Sequence, residues 1–249
     1  MVAPREVRIL DSPEDLCIAA ANEFVQLANA AVGDRGKFSV ALSGGSTPKG
    51  LHQRLASLPP ASVPWDKICF FWGDERHVPI DSPESNYRMA VETLLSKVPV
   101  PRENIFRMHS EEPDAAAAAS AYEQTLRTFF GLKPGEFPRF DLILLGTGPD
   151  GHTASLFPST KALQEKDRLV VANWVEKFQT DRITLTLPVL NHARNVIFLV
   201  SGQDKAPVLR QVLEDASTPP LPSQLVKPVD GRLLWLADRT AASALTQPS

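Results

Sequence analysis

Short, nearly continuous apolar runs recur at residues 37–42, 68–72, 140–145, 196–200 and 233–237. That is the pattern of strands buried on both faces, and each run stops at a glycine, a serine or a polar residue. Residues 6–10, 104–108 and 168–175 read as further short strands. Between these segments the apolar spacing becomes helical. Ser12-Pro13-Glu14-Asp15 offers a cap, a proline at the first helical position and acids in the first turn. The helix that follows turns Leu16, Ala19, Ala20, Phe24, Leu27 and Ala31 inward and is predicted to end near Gly33. Thr47 is placed to cap a helix running from Pro48 to Leu55, and Ser82 to Asn86 starts another that carries Tyr87, Val91, Leu94 and Leu95. Residues 114–130 form an alanine-rich helix packed through Tyr122, Leu126 and Phe129. A helix follows Lys205, and short ones are predicted at 153–157 and 239–245. Residues 182–187 alternate, with Ile183, Leu185 and Leu187 toward the core and Arg182, Thr184 and Thr186 on the other face. Strands alternating with helices predict an α/β fold with a largely parallel sheet covered on both faces. With no internal repeat and no convincing linker, residues 1–249 read as one domain.

Composition changes this picture little. A formal net charge of -3 argues against bulk attraction to nucleic acid or membrane. No apolar run approaches the length of a membrane span, and the start Met1-Val2-Ala3-Pro4-Arg5 lacks the apolar core of a signal peptide. The cysteines, Cys17 in a helical pattern and Cys69 in a strand pattern, have no metal-ligand spacing and fit a reducing compartment. The expected location is cytoplasmic.

Candidate chemistry sits where the apolar runs end. After the run at 140–145 comes Gly146-Thr147-Gly148-Pro149-Asp150-Gly151-His152, which puts a carboxylate and an imidazole at the mouth of a buried strand. Ligands of α/β folds bind outside the carboxyl ends of such strands. Gly146, Gly148 and Gly151 also fit the dinucleotide pattern G-x-G-x-x-G. That pattern wants an acid about 20 residues on, whereas the chain reads Leu169-Val170-Val171-Ala172-Asn173 there, and the Asp150 charge would repel a pyrophosphate. Ser43-Gly44-Gly45-Ser46-Thr47-Pro48 is a glycine-rich turn between strand and helix, where exposed N–H groups and a helix N-terminus suit a phosphate. A tight, well-capped turn would look similar, but two hydroxyls beside paired glycines favour phosphate. In Gly73-Asp74-Glu75-Arg76-His77, Glu75 and His77 read as a solvated loop, while Asp74 and Arg76 gain weight from their place at a strand end. Arg182 with its two threonines is equally an ordinary solvent face. Lys205 at a helix start is unfavourable unless an anion is near.

Taken together these motifs resemble the 6-phosphogluconolactonases, within the larger group that includes glucosamine-6-phosphate deaminases. The resemblance rests on SGGSTP at 43–48, WGDERHVP at 72–79 with Ser85-Asn86, GTGPDGHTASLFP at 146–158, RITLTLP at 182–188, Gly202 with Lys205-Ala206, and Trp235 with Asp238. It implies hydrolysis of 6-phospho-D-glucono-1,5-lactone to 6-phospho-D-gluconate, the second step of the oxidative pentose phosphate pathway. It implies a Rossmann-like three-layer α/β sandwich of the deaminase/ribose-5-phosphate isomerase type, and no required cofactor. The resemblance puts the phosphate on Ser43, Gly44, Gly45, Ser46, Thr47, Arg182 and Lys205, with Arg76 a further candidate. Asp150 and His152 would lie at the lactone, with Asp74 either reacting or bracing. The expected partner is a phosphosugar lactone alone, bound by a monomer.

The residues support that chemistry independently. A lactone needs an activated water, a stabilised oxyanion and a proton for the leaving ring oxygen, which one imidazole near neutrality can exchange. No G-x-S-x-G elbow or H-E-x-x-H spacing supports a serine or zinc mechanism. Two rivals remain. Sugar-phosphate deaminases continue their Asp-Gly-His with a glutamate, and this chain has Thr153-Ala154-Ser155-Leu156-Phe157-Pro158 instead. A non-catalytic sugar-phosphate sensor would keep the phosphate loop and lose the acid–base pair, which this chain retains.

Overall fold

The computed structural model describes residues 5–246. In chain order its elements are β1 (Arg5–Leu10), α1 (Pro13–Arg35), β2 (Phe38–Leu42), α2 (Ser46–Ala56), β3 (Ile68–Trp72), β4 (Asp74–Arg76), α3 (Asn86–Ala90), α4 (Ala115–Phe130), β5 (Leu142–Leu145), β6 (Val170–Val175), β7 (Thr180–Leu185), α5 (Leu187–His192), β8 (Asn195–Val200), α6 (Ala206–Glu214), α7 (Pro222–Leu225) and β9 (Arg232–Asp238).

The apolar runs do become a parallel sheet, in the order β1-β9-β8-β5-β2-β3. β2, β3 and β5 are buried along their whole length, which is why their sequences are continuous rather than alternating. The chain first moves outward from β2 to β3, then returns to add β5 on the other side of β2. The direction of winding therefore reverses between β2 and β5. The turns leaving the carboxyl ends of these two strands must diverge, and the crevice between them is the natural binding site of such a sheet. Those turns are the Ser43–Gly45 and Gly146–His152 segments.

A second, antiparallel sheet of order β4-β7-β6 lies beside this crevice. Residues 168–175 belong to it and not to the parallel sheet. The four ionisable residues after Gly73 are not a solvated loop, because Asp74–Arg76 is a strand paired with β7. Glu75 is 1% exposed. Its carboxylate accepts the N–H groups of Arg76, Asn86 and Tyr87 at 2.7–2.8 Å, and the Ser85 hydroxyl at 3.2 Å. Burial pushes its pKa up against those bonds. The acid thus clamps the chain entering α3 onto β4. His77 lies further out, its Nε2 2.7 Å from the Glu112 carbonyl.

Other differences from the sequence reading have local causes. α1 passes Gly33 and stops at Gly36, whose left-handed φ of 75° lets its N–H reach Val32. By length and composition α1 could cross a membrane; here Leu16, Ala20, Phe24, Ala28 and Ala31 are buried, and it packs on β1, β2, β9 and α2. α2 begins at Ser46 with Gly45 as N-cap, so Thr47 lies inside the first turn and no side chain caps the helix. Residues 104–108 provide only an Ile105 bridge to Phe70, with Phe106 stacked on Phe71 at 4.7 Å. Leu187 opens α5 rather than continuing the alternation, and residues 239–245 form turns, not a helix. Residues 153–157 also form a turn, bridged between Thr153 and Leu156, with Ala154 at φ 47°.

Candidate active site

The turns after β2 and β5 and the strand β4 border a cavity of about 310 Å³. Ser43, Gly44 and Gly45 line one side, Asp74, Arg76 and Asn86 a second, and Gly146 to Pro149 with His152 a third. Arg182 and Lys205 complete the polar wall.

Arg76 and Arg182 face each other across the β4–β7 pair. Two like charges in that position repel, which costs stability unless an anion joins them. Arg182 is 9% exposed and its Nε has no partner among the described residues. Burial first, and the Arg76 charge second, push its pKa below the ordinary arginine value. Among the described residues Lys205 has one ion pair, with Asp204 at 3.4 Å. The buried Ser43 hydroxyl also lacks a partner among the described residues. Unmet donors and crowded cations at an uncapped helix start are what a phosphate dianion would satisfy. Gly44 is essential to the packing here, because a Cβ would lie 1.8 Å from Asn86 Oδ1. Asn86 in turn donates to the Asp74 carbonyl at 2.9 Å.

His152 stands at the opposite wall. Its Nδ1 lies 2.5 Å from Asp150 Oδ1, and its ring stacks on Phe157 at 4.1 Å. The His152 hydrogen bond holds the Asp150 carboxyl down to about 2, so that group is ionised wherever the protein works. Gly151 turns the chain at φ 75°, and the Gly148 N–H donates to the His152 carbonyl at 2.9 Å. Ser223, before β9, braces the turn from below with its hydroxyl 2.9 Å from the Gly151 carbonyl and 3.0 Å from Thr147 Oγ1. With Nδ1–H given to Asp150, Nε2 is the nitrogen that carries the free lone pair.

Not every residue singled out in the sequence faces the cavity. Asp150 sits behind His152 and is not among the residues lining the cavity, with Lys177 Nζ 3.9 Å from its second oxygen. Ser46 lines a neighbouring groove with Lys49 and Arg88, and Thr47 borders neither space. Residues 153–157 are a turn, so the helix expected to begin beside His152 is not formed there. Arg182, Thr184 and Thr186 are buried rather than forming a solvent face. His52, fully buried 3.2 Å from Thr93, is pushed by burial to a pKa of about 4 and stays neutral. Among the described residues no group of His, Cys, Asp and Glu is placed to hold a metal ion.

From residue 11 to residue 235 the chain matches the family model described as glucosamine-6-phosphate isomerases/6-phosphogluconolactonase. The chain belongs to that family. It is 43% identical to the 6-phosphogluconolactonase of Nostoc sp., over 97% of this chain and 99% of that protein. To the human 6-phosphogluconolactonase it is 41% identical, over 99% and 96%. The solved 6-phosphogluconolactonase of Trypanosoma brucei superposes with a TM-score of 0.87 at 30% identity, covering 98% of this chain and 99% of that one. A monomeric glucosamine-6-phosphate deaminase shares the fold, with a TM-score of 0.79 at 20% identity, over 96% and 99%.

Several residues at the cavity have no role in the sequence reading. Ser155 donates its hydroxyl to Asp74 Oδ2 at 2.6 Å, joining the turn after His152 to β4. Asn173 on β6 holds the Ser155 carbonyl at 2.9 Å, and Thr184 accepts the Ser155 N–H at 3.2 Å. Phe157 and Phe178 supply apolar wall. The hydroxyl of Ser155 is visible in the sequence, but its partners lie on strands far along the chain.

Proposed function

We propose that the protein is a lactone hydrolase that converts 6-phospho-D-glucono-1,5-lactone to 6-phospho-D-gluconate in the oxidative pentose phosphate pathway. Its family and the relatives named 6-phosphogluconolactonase support this. One observation carries the chemistry: an Asp150-backed imidazole shares a single cavity with Arg76, Arg182 and Lys205. The cations take the phosphate, with the Ser43–Gly45 turn that lines the same cavity. His152 Nε2 accepts a proton from water as the water oxygen attacks the lactone carbonyl carbon. The tetrahedral oxyanion then collapses, the bond from that carbon to the ring oxygen breaks, and His152 returns the proton to the departing oxygen. Asp150 keeps Nδ1 protonated and offsets the transient imidazolium charge. Asp74, engaged by Ser155, braces the His152 turn.

Lactone opening above the spontaneous rate, assayed beside a binding titration with 6-phosphogluconate, tests the reading. Binding without acceleration would leave a sensor in its place. Activity is expected to survive prolonged chelation, because the acid–base groups are organic side chains. Loss that a divalent ion restores would contradict this. Charge-assisted hydrogen bonds contribute about 1.5–3 kcal/mol each, so Arg182→Ala or Lys205→Ala should weaken substrate binding roughly 10- to 150-fold. Unchanged kinetics in both variants would remove them from the phosphate site. The pairing of β1 with β9, which joins the two ends of the chain in one sheet, supports a single domain. A monomer in the cytoplasm is the expected state, in keeping with the free Cys17 and Cys69.

A further inference from the structure

The tip of the β6–β7 hairpin holds an aromatic ring that lies outside the core. Phe178 is 45% exposed, unlike the phenylalanines of the core, yet it lines the cavity. Hydrogen bonds that do not involve the ring hold the tip. Gln179, at a left-handed φ of 51°, donates its side-chain amide to the Glu176 carbonyl and carboxylate at 2.8–2.9 Å. Trp174 Nε1 donates to the same carboxylate at 2.9 Å. The neighbouring Lys177 Nζ lies over the Phe178 ring at 5.4 Å, and the ring's other contacts belong to both ends of the site. Its centroid is 5.9 Å from that of Phe157, at 73°, and Phe157 stacks on His152. The Arg182 guanidinium lies over it at 5.2 Å. The ring therefore spans the interval between the imidazole and the cations, where the body of a substrate joining them must lie.

We propose that Phe178 is a substrate-binding wall, packing against an apolar C–H face of the sugar lactone ring. The inference rests on the lactonase reading of this cavity. A six-membered lactone whose ring hydroxyls are equatorial directs C–H groups to its faces, and an aromatic ring presents a negative face that attracts such polarised hydrogens. The polar walls already described hold the phosphate and the carbonyl; Phe178 supplies the contact between them.

Steady-state kinetics of Phe178→Ala, Phe178→Leu and Phe178→Trp test this, with inorganic phosphate as a competitive inhibitor. Loss of one aromatic packing contact should raise the KM for the lactone about 3- to 10-fold in the alanine and leucine variants. The tryptophan variant keeps a π face and should stay within about twofold of the parent. kcat, melting temperature and the inhibition constant of phosphate should hardly change in any of them. If the parent enzyme is active and the alanine variant keeps its KM, the wall is refuted. A phosphate inhibition constant that rises in step with KM would also overturn the proposal, since the ring would then act only by holding Arg182. A parent protein that fails to accelerate lactone opening would instead refute the lactonase reading, a result distinct from both.

Discussion

His152→Asn is expected to lower kcat by about 10²–10⁴-fold, the usual contribution of general acid–base catalysis. Asparagine keeps a polar side chain of related shape, so affinity for 6-phosphogluconate should hold and the fold should persist. The uncatalysed opening of the lactone must be subtracted first. Asp74 is the competing base, since it lines the same cavity. It already accepts the Ser155 hydroxyl, an interaction that an asparagine oxygen can also accept, so Asp74→Asn should cost much less. Near-full kcat in His152→Asn together with collapse in Asp74→Asn would transfer the role. The pH profile offers a second reading of the same pair. The Asp150 pKa is depressed to about 2, so its contribution to stability is complete above the ordinary carboxylate value and is lost as pH falls toward 2. An acid limb of kcat at higher pH therefore belongs to another group.

The parts of this molecule that could be read in the sequence are those whose neighbours are close in sequence or whose burial is uniform. β2, β3, β5, β8 and β9 are buried on both faces, so their runs could be recognised without knowing what covers them. The glycine turns follow them directly, and Gly45 and Gly151 have the positive φ that such turns require. β4 escaped detection because a strand of Asp74, Glu75 and Arg76 contradicts the apolar pattern. Its carboxylate is satisfied by α3 and its arginine faces Arg182, neither visible locally. The turn after His152 departs from the expected helix for a similar reason. Its residues tolerate a helix, but Asn173, Thr184 and Asp74 capture Ser155 in another conformation. Phe178 looks like any hairpin residue until the hairpin is folded over the cavity. Tertiary partners decided each of these cases against local propensity.

Gly148→Ala should reduce kcat nearly as far as His152→Asn, about 10²-fold or more, although the substituted position has no chemistry of its own. A Cβ at Gly148 would stand 2.0 Å from His152 Cε1 and 2.1 Å from Nδ1. The backbone cannot easily yield, because the Gly148 N–H and carbonyl are bonded to His152 and Gly151 at 2.9 Å. The imidazole must swing away, giving up the Asp150 hydrogen bond and the Phe157 stack. Gly148 is not among the residues with positive φ, so alanine brings no backbone strain, and the melting temperature should fall only slightly. The wall proposed for the phosphate, with Arg182 and Lys205, is the opposite one, so phosphate affinity should be unaffected. Gly146→Ala is the control: its Cβ would meet nothing closer than the Leu199 carbonyl at 3.8 Å, and its kinetics should match the parent. The double variant Gly148→Ala/His152→Asn should be no slower than His152→Asn alone, because both changes remove one function. If Gly148→Ala keeps more than half of the parental kcat, or if its loss multiplies with that of His152→Asn, the imidazole does not act from the position described.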